Sequence, residues 1–122
     1  MEKTVSFQQL LVWQKAHQFV LLVYKTIELY LQKEMFGLTS QFRRAAISIA
    51  ANMAEGYKKK GYKNKIHFFN IAQGSLEECK YYIILSKDLN YPSDSELEIL
   101  SEEISKLLAG YIKSINANNS IS

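Results

Sequence analysis

The sequence predicts an all-α protein, a single domain over residues 1–122 that folds as an up-down-up-down four-helix bundle. Three observations favour this fold. Apolar residues recur every three or four positions in four long segments. Only five glycines and one proline are available to interrupt those segments. No segment alternates between polar and apolar residues as a half-buried strand does. A chain of 122 residues also buries enough apolar surface to fold without disulfides.

The first predicted helix begins near Leu11 and continues for about twenty residues, to Leu31. Its apolar stripe consists of Val12, Ala16, Phe19, Val20, Val23, Tyr24, Ile27 and Leu31. Trp13 lies beside the stripe, so it either shields the edge of the core or contacts another chain. Residues 1–10 before the helix are expected to form a loosely ordered leader.

The second predicted helix, over residues 37–56, is apolar on two sides. Its core stripe consists of Leu38, Phe42, Ala45, Ile49 and Met53. A second side carries Ile47, Ala50, Ala51 and Ala54. One bundle buries only one side of a helix, and small residues allow another backbone to approach closely. The second side therefore predicts a contact between copies of the chain, and Thr39 is the predicted N-cap.

The third and fourth helices have clear boundaries in the sequence. The third is predicted from Tyr62 to about Leu89, and it contains Gly74, which suits close packing against a neighbouring helix. Residues 93–96 read Ser-Asp-Ser-Glu and predict a capping box at the start of the fourth helix, with Ser93 as the cap. Residues 116–122 are polar and are expected to fray.

The charge of the chain is unevenly distributed. Residues 1–65 hold 11 Lys and Arg against 4 Asp and Glu, whereas residues 66–122 hold 4 against 8. The densest segment is 57–65, where five of nine residues are lysines and Tyr57 and Tyr62 lie among them. Most charge runs are solvated surface. Because lysines contact phosphates and tyrosines stack on bases, however, this segment predicts nucleic-acid binding.

The sequence contains little catalytic chemistry. Neither His17 nor His67 has a second metal-binding side chain at ligand spacing, so we expect no metal site, and no cofactor is expected either. Cys79 lies in an apolar stripe and is expected to be a small buried hydrophobe. There is no P-loop and no nucleophile elbow, so we expect a protein that is not an enzyme. Without an apolar run of membrane-spanning length or a signal peptide, we expect it in the cytoplasm, away from membranes.

Four blocks of the sequence carry a family resemblance. These are VWQKA at 12–16, GLTSQFRRA at 37–45, ANMAEGY at 51–57 and IAQGSLEE at 71–78. Their content and order resemble the four-helix-bundle proteins encoded in 23S rRNA intervening sequences, also called S23-type proteins. The resemblance extends from Leu11 to Leu108.

The resemblance implies an architecture more firmly than a task. Members of that family are small bacterial bundles that assemble as homopentamers, and for most of them no activity is established. They are similar to the accessory variability protein of diversity-generating retroelements, a basic pentamer that associates with a reverse transcriptase and with nucleic acid. This sequence departs from the family pattern at Lys65, where an acid is expected, and in the lysines at 58–60. Both departures add positive charge.

Arg43 and Arg44 are the only arginines in the chain. Their planar guanidinium groups suit phosphates, but they equally suit carboxylates such as Glu55, Glu77 or Glu78, within the bundle or across subunits. Arg44, on the polar side with Glu55, is balanced between these two roles, and Arg43 is open to either. The predicted nucleic-acid-binding residues are Arg43, Arg44, Tyr57, Lys58, Lys59, Lys60, Tyr62, Lys63 and Lys65.

Two functions from different classes remain open at this stage. The first is a pentameric accessory protein that binds structured RNA, DNA or an RNA–DNA intermediate through phosphates, with little base specificity and with a reverse transcriptase as a partner. The second is a protein scaffold whose pentamer docks a partner enzyme without touching nucleic acid. Sequence alone does not choose between them.

Overall fold

The computed structural model describes residues 6–121, with side chains described for residues 6–118. Its four long helices are α1 (Leu11–Ile27), α2 (Leu38–Lys58), α3 (Tyr62–Asp88) and α4 (Ser95–Ile121). Single 3-10 turns at Phe7–Gln9 and Gln32–Glu34 precede α1 and α2. Residues 6–121 contain no strand, so the all-α prediction is confirmed. Residues 1–5 of the predicted leader and residue 122 of the predicted tail lie outside the described chain.

The helices pack in the order of an up-down-up-down bundle. Each helix contacts the next one along the chain, and α4 returns to contact α1. The interior is filled by large side chains with almost no exposed surface, namely Phe19, Phe42, Phe69, Ile49, Met53, Leu76, Ile104 and Leu108. Because amphipathic helices bury their apolar stripes against one another, this single core accounts for the four periodic segments of the sequence.

The contact between α2 and α3 is the most extensive in the bundle. Gly56, near the end of α2, makes this contact close. A Cβ atom at that position would lie 3.0 Å from Phe68 Cβ and 3.0 Å from a ring carbon of Phe69. Only a glycine therefore fits without moving the start of α3. The predicted close packing at Gly74 is wrong within this chain, since nothing lies within 4 Å of the corresponding Cβ position.

The alternating helix directions give the bundle two different ends. The segments 28–37 and 89–94 lie together at one end, which we call the connection end. Here the Tyr30 and Ser86 hydroxyls are 2.6 Å apart, and the Tyr91 hydroxyl donates to Glu34 Oε2 at 2.5 Å. The turn between α2 and α3 lies at the other end, which we call the lysine end.

Helix α1 ends four residues before the predicted Leu31. The chain turns after Ile27 and brings Tyr30 into the core, where Tyr30 is only 9% exposed. Leu31 then points outward, with 54% of its surface exposed. If α1 had continued, Leu31 would have stayed on its apolar stripe. The buried Tyr30 ring and its hydrogen bond to Ser86 favour the turn instead.

Both predicted helix caps are displaced. Thr39 does not cap α2, because the Glu34 carboxylate from the preceding 3-10 turn accepts from the Leu38 backbone N–H at 3.2 Å. Ser93 does not cap α4, because Asp94 Oδ1 accepts from the Glu96 backbone N–H at 2.9 Å. In each case a carboxylate takes the place of a hydroxyl at a helix N-terminus, where the helix dipole favours negative charge.

Regular structure extends into both terminal segments of the described chain. Ser6 caps the 3-10 turn by accepting from the Gln8 backbone N–H at 3.1 Å, and Phe7 packs edge-on against Trp13 with ring centroids 5.0 Å apart. At the other terminus α4 extends as far as Ile121, and the fraying of residues 116–122 stays a prediction.

Candidate interaction surfaces

Three exposed lysines surround the turn at the lysine end. Lys58 ends α2, Lys60 lies in the turn, and Lys63 lies in the first turn of α3. Among the described residues none of their ammonium groups has an ion pair or a hydrogen bond. The paired lysines elsewhere in the bundle are Lys15 with Glu103 at 3.3 Å, Lys80 with Glu77 at 3.2 Å, and Lys87 with Glu98. The turn therefore presents uncompensated positive charge.

Lys65 is used differently from its neighbours. Its Nζ donates to the carbonyl oxygens of Gly56 at 3.1 Å and Tyr57 at 2.7 Å, and it lies 5.3 Å from the centroid of the Tyr57 ring. Partial burial lowers the pKa of Lys65. The last carbonyls of a helix have no partner within the helix, so Lys65 acts as a cap for α2.

Lys59 is also partly engaged. Its ammonium group lies 3.3 Å from Glu55 Oε2 and 5.1 Å from the centroid of the Phe68 ring. Tyr62 is 40% exposed, whereas Tyr57 is half-buried beneath Lys65. Of the aromatic side chains predicted to stack on bases, Tyr62 is therefore the more accessible.

The arginines do not join this cluster. Arg43 lies fifteen residues before Lys58 on the same helix, which places it about 22 Å away along the axis. Neither arginine is in an ion pair among the described residues, and Glu55, a predicted partner of Arg44, pairs with Lys59 instead. The sequence-predicted set is thus split between the two halves of α2.

Arg44 borders a polar groove between α2 and α3. The groove has a volume of about 280 Å³ and is lined by Gln41, Arg44, Ala45, Ser48, Ser75 and Glu78. The Ser75 hydroxyl lies 2.7 Å from that of Ser48, and Asn52 Nδ2 donates to the Ser48 carbonyl at 2.9 Å. The Ser48–Ser75 bond fixes the height of α2 relative to α3, and the bond from Asn52 lies within α2.

The small side of α2 forms an apolar groove with α1. Phe7, Trp13, His17, Val20, Ile47, Ala50, Ala51 and Ala54 line about 260 Å³ of open concave surface. Trp13 stacks on His17 with centroids 5.1 Å apart and an interplanar angle of 5°. Trp13 also packs against the core, so it shields the core edge, as one of its two predicted roles required. The contact between copies at Ile47, Ala50, Ala51 and Ala54 stays a prediction.

An apolar surface at the connection end was missed by the sequence analysis. Its members are exposed side chains, namely Leu29 at 65%, Leu31 at 54%, Met35 at 42%, Phe36 at 89% and Leu89 at 45%. The signal that could have revealed it is the pair Met35 and Phe36 in a connection, where polar residues are usual. Soluble single chains seldom group so many exposed apolar side chains.

The remaining candidates for chemistry are accounted for by packing. Cys79 is fully buried, as its register predicted, and burial raises the pKa of its thiol. His67 contacts the Phe68 ring at 5.3 Å. Within residues 6–118 no three His, Cys, Asp or Glu side chains come together to hold a metal ion. No helix in the described chain has the length and apolar content needed to cross a bilayer.

Comparison with known proteins decides the family. The family model described as 23S rRNA-intervening sequence protein matches residues 8–112. The chain belongs to that family. A solved structure of a protein of unknown function from the S23 ribosomal protein family of Bacteroides thetaiotaomicron is similar, with a TM-score of 0.75 and 26% identity over 84% of this chain and 99% of that one. No curated protein matches the chain.

Proposed function

We propose that this family member is a non-enzymatic, homo-oligomeric accessory protein that binds RNA or DNA phosphates at its lysine end. The observation that carries the proposal is the exposed triplet Lys58, Lys60 and Lys63, whose ammonium groups have no partner among the described residues. Ammonium groups that are not already neutralised can displace counterions from a phosphate backbone, and this release supplies most of the affinity of nonspecific binding.

Assembly would multiply this charge. In the proposed homopentamer every copy presents the same triplet on the same face of the ring, because cyclic symmetry turns each copy about one axis. That face would carry about fifteen free lysines. Such a surface positions a phosphate backbone without reading bases, so we propose binding to structured RNA or single strands with little sequence preference.

The connection end favours a second candidate, the protein scaffold. Phe36 and its exposed apolar neighbours form a surface suited to a protein partner, and in the retroelement variant of this proposal that partner is a reverse transcriptase. The two functions are compatible, because their surfaces lie at opposite ends of the bundle. Only nucleic-acid binding requires the lysines at the lysine end.

The test is the salt dependence of nucleic-acid binding. We compare the wild type with a variant in which Lys58, Lys60 and Lys63 become Gln, using fluorescence anisotropy of a labelled RNA hairpin and a labelled single strand. The slope of log affinity against log salt should fall by about 0.7 per lost contact for the single strand and about 0.9 for duplex. Binding should weaken alike for different sequences.

A matched control removes the same charge elsewhere. Lys25, Lys33 and Lys106 are also exposed and also lack ion pairs among the described residues, so their replacement by Gln should leave the slope nearly unchanged. If the wild type shows no binding at about 50 mM salt, where phosphate contacts are strong, the nucleic-acid role fails and the scaffold function replaces it. Equal effects of the two triple variants would mean that binding depends only on net charge.

A further inference from the structure

A cyclic ring needs two different contact surfaces on each copy, because its interfaces are heterologous. The inference below rests on the proposed homo-oligomer and identifies both surfaces. The first is the apolar groove between α1 and α2, and Arg43 lies in line with its α2 residues. Positions 43, 47, 50 and 54 are spaced by three or four residues and therefore follow one stripe of α2.

The second surface is an exposed stripe of α3. Ile71, Gly74 and Glu78 are spaced by three and four residues, and all three are exposed. Gly74 occupies the middle of a 27-residue helix, and a Cβ there would meet no atom of this chain within 4 Å. Glycine is a poor helix former, and packing within the chain does not explain why it occurs at position 74. A backbone approaching from outside the chain would account for it.

The two stripes match in height along the bundle. The hydrogen bond between Ser48 and Ser75 sets a common level on α2 and α3. With a rise of 1.5 Å per residue, Arg43 lies about 7.5 Å and Glu78 about 4.5 Å from that level toward the connection end. Ile47 and Gly74 lie within about 3 Å of one another in height. Ala51 and Ile71 lie within about 1.5 Å.

Cyclic symmetry explains why a match in height between the two stripes matters for assembly. A closed ring has rotation without translation along its axis, so in bundles that stand along the axis residues of equal height face one another. The stripes also carry complementary charges, because Arg43 and Glu78 are both without an ion pair among the described residues. The first stripe lies in the groove between α1 and α2, and Glu78 of the second lines the groove between α2 and α3, so the stripes lie on neighbouring sides of the bundle. Heterologous contacts between such sides form a closed ring when the rotation from copy to copy closes.

We propose that Arg43 of one copy pairs with Glu78 of the next, while Ile47 and Ala50 pack against Gly74. The polar face of α2 between the two stripes, which carries Arg44, then faces the centre of the ring. This assigns different roles to the two adjacent arginines. Arg43 binds a carboxylate of the neighbouring copy, whereas Arg44 borders the groove of its own chain that Glu78 also lines.

A charge exchange tests the ion pair. Arg43→Glu and Glu78→Arg each place like charges at every contact, and the mass measured by light scattering should fall toward the 14.1 kDa of one chain. The double variant restores opposite charges at every contact and should recover the mass of the wild-type oligomer. Lys25→Glu makes a matching reversal of charge at an exposed lysine of α1 that lies in neither stripe, and it should retain the oligomer. Circular dichroism checks that all four variants remain helical.

A disulfide pair tests the register independently. In the variant carrying Ile47→Cys and Gly74→Cys, oxidation should give a ladder of linked chains on a denaturing gel, and the buried Cys79 should not contribute. Ala54→Cys with Glu78→Cys is the control, because these positions differ by about 13.5 Å in height and should stay unlinked.

The outcomes separate this inference from the proposed function. If the wild type is monomeric, the oligomer itself fails. If the wild type is oligomeric and binds nucleic acid but Arg43→Glu leaves its mass unchanged, or if the control cysteines link as readily as the test pair, this contact is wrong while the proposed function stands. Loss of the oligomer in both single variants without recovery in the double variant would also overturn the ion pair.

Discussion

The two ends of the bundle expose different kinds of side chain. At the connection end the polar groups point inward, with Tyr91 bonded to Glu34 and Tyr30 to Ser86, and apolar side chains remain outside. At the lysine end Phe69 is buried and Tyr57 is half-buried beneath the turn, while Tyr62 and charged groups remain outside. The connection end thus uses side-chain polar groups internally, whereas the turn at the lysine end leaves the ammonium groups of Lys58, Lys60 and Lys63 without an ion pair among the described residues.

This difference suggests that the two ends bind different kinds of partner. Apolar surface is stabilised by burial against a protein, and unpaired ammonium groups by binding an anion. Substitutions confined to one end of the bundle can separate the two roles.

The closest packing at the lysine end depends on Gly56. Gly56→Ala should lower the free energy of unfolding by about 2 kcal/mol, because the added Cβ has no room beside the start of α3. The control is Gly61→Ala, where a Cβ would meet nothing within 4 Å and the change should be within about 0.5 kcal/mol. Urea unfolding measures both. Equal stability of Gly56→Ala and the wild type would show that α3 can shift away at little cost.

The fold was predictable because it depends on periodicity. Most of the predicted stripes of the first two helices could be identified from spacing, and Phe42, Ile49 and Met53 are buried as predicted. Tyr24 and Leu31 were assigned to the first stripe wrongly, since they are 41% and 54% exposed.

The helix ends were less predictable. Thr39 and Ser93 had the right chemistry for caps, but carboxylates brought by a 3-10 turn and by the adjacent residue took their places. The periodic spacing of apolar residues does not predict where an irregular connection places a side chain.

The candidate surfaces were only partly predictable for the same reason. The lysine run could be found in the sequence as a concentration of charge. Nothing in it distinguished Lys65, which caps α2, from Lys63, which is exposed. That distinction depends on how α3 leaves the turn. The separation of Arg43 from the lysines, by contrast, follows from helix length once the whole segment is taken as one helix.

The capping role of Lys65 is the second prediction. Lys65→Met keeps the aliphatic stem but removes the donor to the Gly56 and Tyr57 carbonyls, so the free energy of unfolding should fall by about 1 kcal/mol, a modest value because water can reach the site. Lys63→Met removes an exposed charge nearby and should change stability by less than about 0.5 kcal/mol. Thermal and urea unfolding compare the two variants. Identical effects would show that Lys65 contributes only charge.

The third prediction concerns pH at the connection end. Hydrogen bonds from the Tyr91 hydroxyl and the Leu38 backbone N–H lower the pKa of the Glu34 carboxyl below its ordinary value of 4.5. A carboxyl with a lowered pKa adds stability above its unfolded pKa, and that stability is lost as the pH falls through the folded value. Glu34→Gln should therefore be less stable at neutral pH, and its urea midpoint should fall less on acidification than the wild-type midpoint. Parallel pH profiles would show that the carboxylate plays no such part.

The smallest change is expected at the most exposed apolar side chain. Phe36 is 89% exposed, so Phe36→Ser removes little buried surface and should alter the free energy of unfolding by less than about 0.5 kcal/mol. Phe42→Ser, at a fully buried ring, should cost about 4 kcal/mol or more. Phe36→Ser should instead lower the fluorescence of a dye that binds exposed apolar surface, because this ring is the most exposed member of that surface. A loss of more than about 1 kcal/mol in Phe36→Ser would show that the ring supports the fold and is not free apolar surface.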